Sequence, residues 1–213
     1  MNTANFWLQH LIERYPELDS CKEPILEAFE LLKGCVEAGG SILVCGNGGS
    51  AADSAHIVGE LLKGFRLARK ISDEDTSRLI EIAGDKGREI AGKLQGAISA
   101  IDLTSNTALM TAVANDTDPS MIFAQQLMAY SGKSNVLIGI SPIGEAENII
   151  NAFYVAQMHG IRTISLTGSP ESRIAKLGDV AINVPRQEVF LAQEFHLPVY
   201  HTLCLMLEAE FFA

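Results

Sequence analysis

The sequence predicts an α/β fold, specifically a three-layer α/β/α sandwich around a five-stranded parallel sheet. Short apolar segments of strand length alternate with longer segments of helical periodicity, and this alternation is typical of a parallel sheet covered by helices on both faces. The 213 residues, 47% of them hydrophobic, are enough for one compact domain, which we expect to span residues 1–213.

Two helices are expected in the N-terminal region 1–38, before the first strand. Apolar residues recur there at spacings of three and four, and Pro16 and Pro24 interrupt the pattern. The predicted strands are short apolar segments that read as buried on both faces. They cover residues 42–45, 98–103, 136–140, 162–166 and 180–184.

The segment 70–94 is longer than a crossover between two strands requires, and we predict that it is a helical insertion. Ser72 followed by Asp75 resembles a capping box with the shorter acid, and apolar residues follow at helical spacing. Three roles stay open for it: a lid, a contact between subunits, or a decoration without function.

Composition narrows the class of protein. A net charge of -10 disfavours nonspecific binding to nucleic acid or to anionic membranes. The apolar runs are too short to span a bilayer, and the N-terminus lacks a secretory signal pattern, so we expect a cytoplasmic protein without nucleic-acid or membrane partners. The four cysteines form no C-x-x-C pair and are expected to be buried thiols. They are Cys21, Cys35, Cys45 and Cys204.

A glycine-rich loop, residues 45–50, joins the first predicted strand to the next helix. Free N–H groups and the helix dipole favour anionic or oxygen-rich ligands at such a loop. Gly46, Gly48 and Ala51 also match a weak form of the dinucleotide fingerprint. The acidic residue that this fingerprint needs about 20 residues later is missing, because the second strand, with Asp102, comes much later. A dinucleotide-binding oxidoreductase and a turn without ligand stay as alternatives.

His56 and Glu60 lie at i and i+4 on the helix after this loop, so their side chains can converge on one ion. Imidazole and carboxylate suit a borderline divalent metal such as zinc. A hydrogen bond between the two on the surface is the alternative interpretation.

The predicted C-terminal helix places four polar residues, Gln193, Glu194, His196 and His201, in an otherwise apolar segment. Such groups need partners when they are buried. On an ideal helix, Glu194 lies closer to His201 than Gln193 does. Pro198 weakens this comparison, because it can kink the helix. Spacing alone therefore does not decide which of the four coordinate a metal.

Segments 44–60 and 193–201 together resemble the sugar isomerase (SIS) domain family and, within it, the phosphoheptose isomerases, which interconvert sedoheptulose 7-phosphate and a heptose 7-phosphate. The resemblance runs from about residue 24 to the end, outside the insertion. It implies a flavodoxin-like sandwich, a metal-dependent aldose–ketose isomerase with Zn²⁺ or another divalent metal, a sugar phosphate or related carbohydrate derivative as substrate, and a homo-oligomer, usually a tetramer.

The resemblance also implies the site residues by their positions. The implied metal ligands are His56, Glu60, Gln193 and His201, and Glu60 and His201 also form the implied acid/base pair. The implied substrate-binding residues are Asn47, Gly48, Gly49, Ser50, Asn115, Asp116 and Ser141. A carboxylate and a histidine can move the protons that carry a carbonyl between C1 and C2, and a divalent ion can stabilise the developing oxyanion.

Residues 141–146 depart from the S-T-S-G-N-S turn with which the family binds phosphate. Only Ser141 and Gly144 are retained, and Glu145 adds a negative charge that disfavours phosphate. The other replacements remove a donor N–H or hydroxyl groups; they are Pro142, Ile143 and Ala146.

Phe190 is a second departure, since related isomerases commonly have a small polar or acidic residue there. Lys63, Arg66 or Arg69 could replace the lost phosphate contacts, although a solvated basic helix end is the simpler interpretation. The altered turn keeps an alternative open: a non-catalytic SIS module that binds a carbohydrate derivative or a protein partner.

Overall fold

The computed structural model describes residues 3–131 and 134–213, so the first two residues of the predicted N-terminal region lie outside the described residues. Five parallel strands form one sheet in the order β2-β1-β3-β4-β5. They are β1 (Ile42–Gly46), β2 (Ala100–Asp102), β3 (Val136–Ile140), β4 (Arg162–Thr167) and β5 (Val180–Asn183). Helices cover both faces, and the predicted fold class is confirmed.

The helices follow the predicted alternation with the strands. In chain order they are α1 (Thr3–Arg14), α2 (Lys22–Glu37), α3 (Gly49–Leu62), α4 (Asp73–Ala91), α5 (Thr107–Asp116), α6 (Ala124–Leu127), α7 (Glu147–Met158), α8 (Arg173–Leu177) and α9 (Val189–Phe212). A 3₁₀ turn over Pro16–Cys21 separates α1 from α2, as the prolines predict. Pro24 does not break α2, because it lies in the first turn, where its missing N–H costs no helical hydrogen bond.

Side chains of each strand alternate between two apolar cores. Ile42 and Val44 pack on the face covered by α1, α2, α3 and α9, whereas Leu43 and Cys45 pack on the face covered by α5 to α8. All four cysteines are free and buried, which confirms that prediction. In the described part of the chain, no helix combines the length and apolarity needed to cross a bilayer.

The predicted helical insertion forms α4, with one difference. Ser72 caps it as expected: its Oγ accepts a hydrogen bond from the Asp75 N–H at 3.0 Å. However, Gly84 adopts φ +56°, which bends α4 into two helical segments that turn back on each other. Gly87 lies so close to the Leu79 carbonyl that a Cβ there would clash. The prediction of helix is therefore correct, but not of one straight helix.

A buried ion pair fixes the segment after α3 to α9. The Glu208 carboxylate accepts hydrogen bonds from Arg69 Nε at 2.8 Å and from three consecutive backbone N–H groups, of Phe65, Arg66 and Leu67. Burial disfavours the ionised carboxyl, but these N–H groups and the guanidinium hold the pKa of Glu208 below its usual value. Both charged side chains are almost completely inaccessible to solvent.

The Arg69 guanidinium also donates to the end of α3. Its two terminal nitrogens bond the Leu61 and Glu60 carbonyl oxygens at 2.8 and 2.9 Å. These carbonyls belong to the last turn of the helix, which lacks partners within the helix itself. Arg69 therefore serves as a C-terminal cap for α3 while it neutralises Glu208.

His196 is fully buried in α9, and neither ring nitrogen has a hydrogen-bond partner among the described residues. Burial lowers the pKa of His196 to about 4, against a weaker opposing effect of the nearby Thr167 main chain. The folded protein therefore holds this imidazole neutral.

We expect that Glu208→Gln lowers the free energy of unfolding by about 3–5 kcal/mol, because Arg69 would be left buried without its counter-ion. Urea denaturation measures this change. The exposed Lys86–Glu89 pair supplies the control, and Glu89→Gln should leave the midpoint unchanged. An unchanged midpoint for Glu208→Gln would contradict this account.

The free energy of unfolding should also depend on pH through His196. Its folded pKa, about 4, lies below the ordinary value of 6.5, so its contribution to stability is complete above pH 6.5 and declines as the pH falls toward 4. The full loss amounts to about 3 kcal/mol. Denaturation of wild type and His196→Leu across this window measures it, and an equal slope in both proteins would refute the assignment.

Candidate active site

The glycine-rich loop lies at the switch point of the sheet. The chain leaves β1 toward β2 on one side and leaves β3 toward β4 on the other, so a crevice opens between the carboxyl ends of β1 and β3. Gly48 adopts φ +56°, a conformation that favours glycine, and α3 begins at the next residue. In the first turn of α3, the N–H groups of Ser50 and Ala51 donate to the carbonyl oxygens of Asn47 and Gly48 at 3.0 and 3.1 Å, so the loop itself caps this end of the helix.

Gly49 and Gln193 make the closest approach between the loop and α9. A Cβ on Gly49 would lie 2.7 Å from Gln193 Nε2, so only glycine allows the Gln193 amide to reach the loop. The next residue, Ser50, is buried with a hydroxyl that has no partner among the described residues. The structure thus brings two of the predicted site residues, Gly49 and Gln193, together at the start of α3.

His56, Glu60 and His201 form the second group of predicted residues that the structure brings together. His56 Nε2 lies 3.2 Å from Glu60 Oε1 and 3.4 Å from His201 Nε2. Burial lowers the pKa of His201, and the neighbouring His56 and Arg14 lower it further against the opposing charge of Glu60. His201 is therefore favoured as a neutral imidazole.

A hydrogen-bonded chain behind His56 influences which of its nitrogens carries the proton. The Tyr200 hydroxyl donates to Asp53 Oδ1 at 3.1 Å and lies 3.1 Å from His56 Nδ1. Burial and the Asp53 carboxylate raise the pKa of Tyr200, so this hydroxyl keeps its proton. One tautomer of His56 donates from Nε2 to Glu60, whereas when the Tyr200 oxygen accepts from His56 Nδ1–H, a lone pair is left on His56 Nε2.

This tautomer makes the cluster electron-rich. The lone pair of His56 Nε2 faces the Glu60 carboxylate and the neutral His201 imidazole, and such an arrangement is stabilised by a shared cation. For nitrogen and oxygen ligands about 2.0–2.1 Å from a tetrahedral zinc ion, neighbouring ligand atoms lie about 3.3 Å apart. The two measured distances from His56 Nε2 fit this spacing.

The cluster is nevertheless not a complete metal centre by itself. Among the described residues, no three His, Cys, Asp or Glu side chains are arranged as a set that could hold a metal ion. No hydrogen bond of the described chain connects Gln193 to the histidines. The donor chemistry fits a divalent metal, and the four-ligand set stays a prediction.

Asp53 and Tyr200 were not among the predicted site residues. Asp53 lies one helical turn before His56, and Tyr200 immediately precedes His201. That proximity was the available signal, but nothing in the sequence shows that Tyr200 contacts His56 rather than the core.

The remaining predicted substrate contacts lie in two other places. Asn47 and the α7 residue Asn148 exchange two hydrogen bonds of 2.9 Å across the crevice. Asn115 donates to Asp116 at 2.8 Å in an exposed position at the end of α5. Among the described residues, no hydrogen bond connects the Asn115–Asp116 pair to the glycine loop or the histidine cluster.

In the turn after β3, residues 141–146, the polar groups form hydrogen bonds within the turn and with α8. Ser141 Oγ accepts from the Gly144 N–H at 3.1 Å. The Glu145 carboxylate accepts from the backbone N–H and the side-chain Nε of Arg173, at 2.9 and 2.8 Å. Hydrogen bonds from the Arg173 side chain and backbone hold the pKa of Glu145 below its usual value, so this turn carries its own anion. Phe190 is exposed near the start of α9.

Comparisons with known proteins agree with the fold and the sequence motifs. Two SIS domain family models match residues 7–84 and 94–207. A phosphoheptose isomerase of Helicobacter pylori is 33% identical over 205 residues, 96% of this chain and 93% of the relative. A phosphoheptose isomerase of Campylobacter jejuni is 32% identical over 92% of this chain and 91% of the relative.

Solved structures give the same result. A phosphoheptose isomerase from Francisella tularensis superposes with a TM-score of 0.74 at 27% identity, covering 95% of this chain and 94% of that one. One from Neisseria gonorrhoeae gives a TM-score of 0.67 at 29% identity, covering 92% and 96%. The chain therefore belongs to the SIS domain family, and its similarity within that family is to the phosphoheptose isomerases.

Proposed function

We propose that the chain is a metal-dependent aldose–ketose isomerase that converts sedoheptulose 7-phosphate into a heptose 7-phosphate. Its similarity to phosphoheptose isomerases over more than nine-tenths of its length supports the coarser statement that it is a phosphosugar isomerase. The observation that carries the proposal is the convergence of Glu60 and His201 on His56 Nε2.

The reaction needs groups that take and return protons at adjacent carbons. A proton leaves C1 of the ketose, its electron pair forms the C1–C2 double bond, and the C2 oxygen gains a proton to give an enediol. The reverse sequence on the other carbon, with loss of the O1 proton and protonation of C2, gives the aldose. We assign these transfers to the Glu60 carboxylate and the His201 imidazole.

His56, Glu60, Gln193 and His201 would hold the metal ion. When bound there, a divalent ion such as Zn²⁺ would polarise the sugar oxygens and stabilise negative charge on them. The protein contributes the orientation: Tyr200 and Asp53 fix the His56 tautomer, and the Gln193 amide rests on the glycine loop. We extend the proposal to the homotetramer and cytoplasmic location expected above.

The turn at residues 141–146 supports the inference that this chain does not bind the phosphate with the turn that the family uses. Glu145 already accepts from the backbone N–H and Nε of Arg173, and the Gly144 N–H is bonded to Ser141. The same observation favours a second candidate function, a non-catalytic SIS module that binds a carbohydrate derivative. Catalysis separates the two candidates.

We expect zinc-loaded protein to exchange the C1 and C2 protons of sedoheptulose 7-phosphate in deuterium oxide, followed by proton NMR. Glu60→Gln should slow this exchange by about 10²–10⁴-fold, since an acid/base group is lost. Glu89→Gln, an exposed charge removal on α4, should retain the wild-type rate. Folded, metal-loaded wild type that gives no exchange would reject the isomerase and support the binding module.

Tyr200→Phe should weaken zinc binding by about 10–100-fold, because His56 loses the partner that fixes its tautomer. Competition against a chromogenic chelator measures this affinity. Tyr154→Phe is the matched control, since Tyr154 is exposed on α7. Equal zinc affinity in Tyr200→Phe and wild type would show that the hydroxyl does not support a metal ligand.

A further inference from the structure

A cavity of about 450 Å³ opens beside His201, on the side of α9 that faces α1. Its walls come from α1, α9 and the two residues Phe65 and Arg66 that follow α3. The volume falls in the range of pockets that hold small ligands. Because His201 forms part of the wall, a ligand in this cavity would contact one member of the proposed acid/base pair, while Glu60 is not among the lining residues.

The polar side of this cavity is cationic. Arg14 and Arg66 line it, and no carboxylate does. The Arg66 guanidinium stacks over the Trp7 ring at 4.9 Å and that of Arg14 over Tyr15 at 5.2 Å. These contacts hold the guanidinium groups beside the cavity. One terminal nitrogen of Arg14 also donates to the Tyr15 hydroxyl at 3.4 Å, and the other side-chain N–H donors stay available.

These two arginines differ from most of the others in an acidic protein. Among the described residues, neither forms an ion pair with a carboxylate. The arginines that do form such pairs are Arg69, Arg78, Arg162, Arg173 and Arg186. Two exposed arginines beside a cavity, without counter-ions of their own, provide a site for an anion.

The other candidate cations near α3 are already occupied or lie elsewhere. Arg69 is buried against Glu208, and Lys63 donates to the Gly64 carbonyl and does not line the cavity. Resting on the function proposed above, we propose that Arg14 and Arg66 bind the phosphate group of the sugar phosphate in the cavity beside His201, in place of the turn at residues 141–146.

This arrangement assigns a place to each end of the substrate. The phosphate would accept hydrogen bonds from the two guanidinium groups, which suit a phosphate dianion because each can donate two parallel bonds. The carbonyl end would extend toward His201 and Glu60. Trp7, Phe65 and Leu197 provide the apolar part of the wall.

The test uses Trp7, the single tryptophan of the chain, as a reporter inside the cavity. Its fluorescence is followed during titration of the zinc-loaded protein with inorganic phosphate, sedoheptulose 7-phosphate and unphosphorylated sedoheptulose, and calorimetry repeats each titration without relying on the reporter. We expect Arg14→Gln and Arg66→Gln each to weaken binding of the two phosphates about tenfold or more. The affinity of both arginine variants for unphosphorylated sedoheptulose should equal that of the wild type.

Lys63→Gln is the matched control, because it removes an exposed charge from the same segment without touching the cavity. Unchanged phosphate affinity in both arginine variants, or an equal loss in Lys63→Gln, would overturn the proposal. Isomerisation with an unchanged KM in both arginine variants would reject this subsite and leave the proposed function intact. Arginine-dependent phosphate binding without isomerisation would support the subsite and reject the proposed function.

Discussion

Helices α3 and α9 are fixed against each other at three levels along their length, and the candidate site depends on this register. At the start of α3, Gln193 contacts Gly49. In the middle of α3, Tyr200 and His201 contact His56. Beyond the end of α3, Glu208 binds the segment that follows the helix. A shift of one helix by a single turn, about 5.4 Å, would separate all three contacts at once. The cost of burying Glu208 is offset because its bonds fix the helix that carries Glu60.

The electrostatics of the centre follow from this packing. Asp53 accepts from Tyr200, and Tyr200 in turn leaves the second nitrogen of His56 without a proton. The carboxylate of Glu60 then has no hydrogen to share with that nitrogen, and His201 can donate to it only if its own proton lies on Nε2. The structure thus relates Tyr200, which lies outside the proposed acid/base pair, to the hydrogen bonding around that pair.

The sequence was sufficient for the fold because its signals are local. Apolar strands, the Ser72 cap and the glycine loop each determine a short segment, and their order fixes the parallel sheet. The bend at Gly84 escaped prediction since a lone glycine reads equally well as a tolerated helical residue.

The site could be predicted only in part. Helical spacing brought out His56 and Glu60, but ideal angles could not choose between Gln193 and Glu194, and the choice came from family resemblance. The role of Tyr200 was not predicted, because it depends on a contact between α3 and α9. Tyr200 and His56, which make this contact, are 144 residues apart in the sequence.

The two reciprocal hydrogen bonds between Asn47 and Asn148 favour some classes of ligand over others in the crevice. Both amides are accessible to solvent, so a ligand that replaces these bonds better than water does must offer each amide both a donor and an acceptor. Neighbouring hydroxyls of a polyol do this, since each is donor and acceptor together. A phosphate dianion or a carboxylate only accepts. At these two amides a polyol is therefore matched in hydrogen-bond polarity, whereas an anion leaves the two amide oxygens to water.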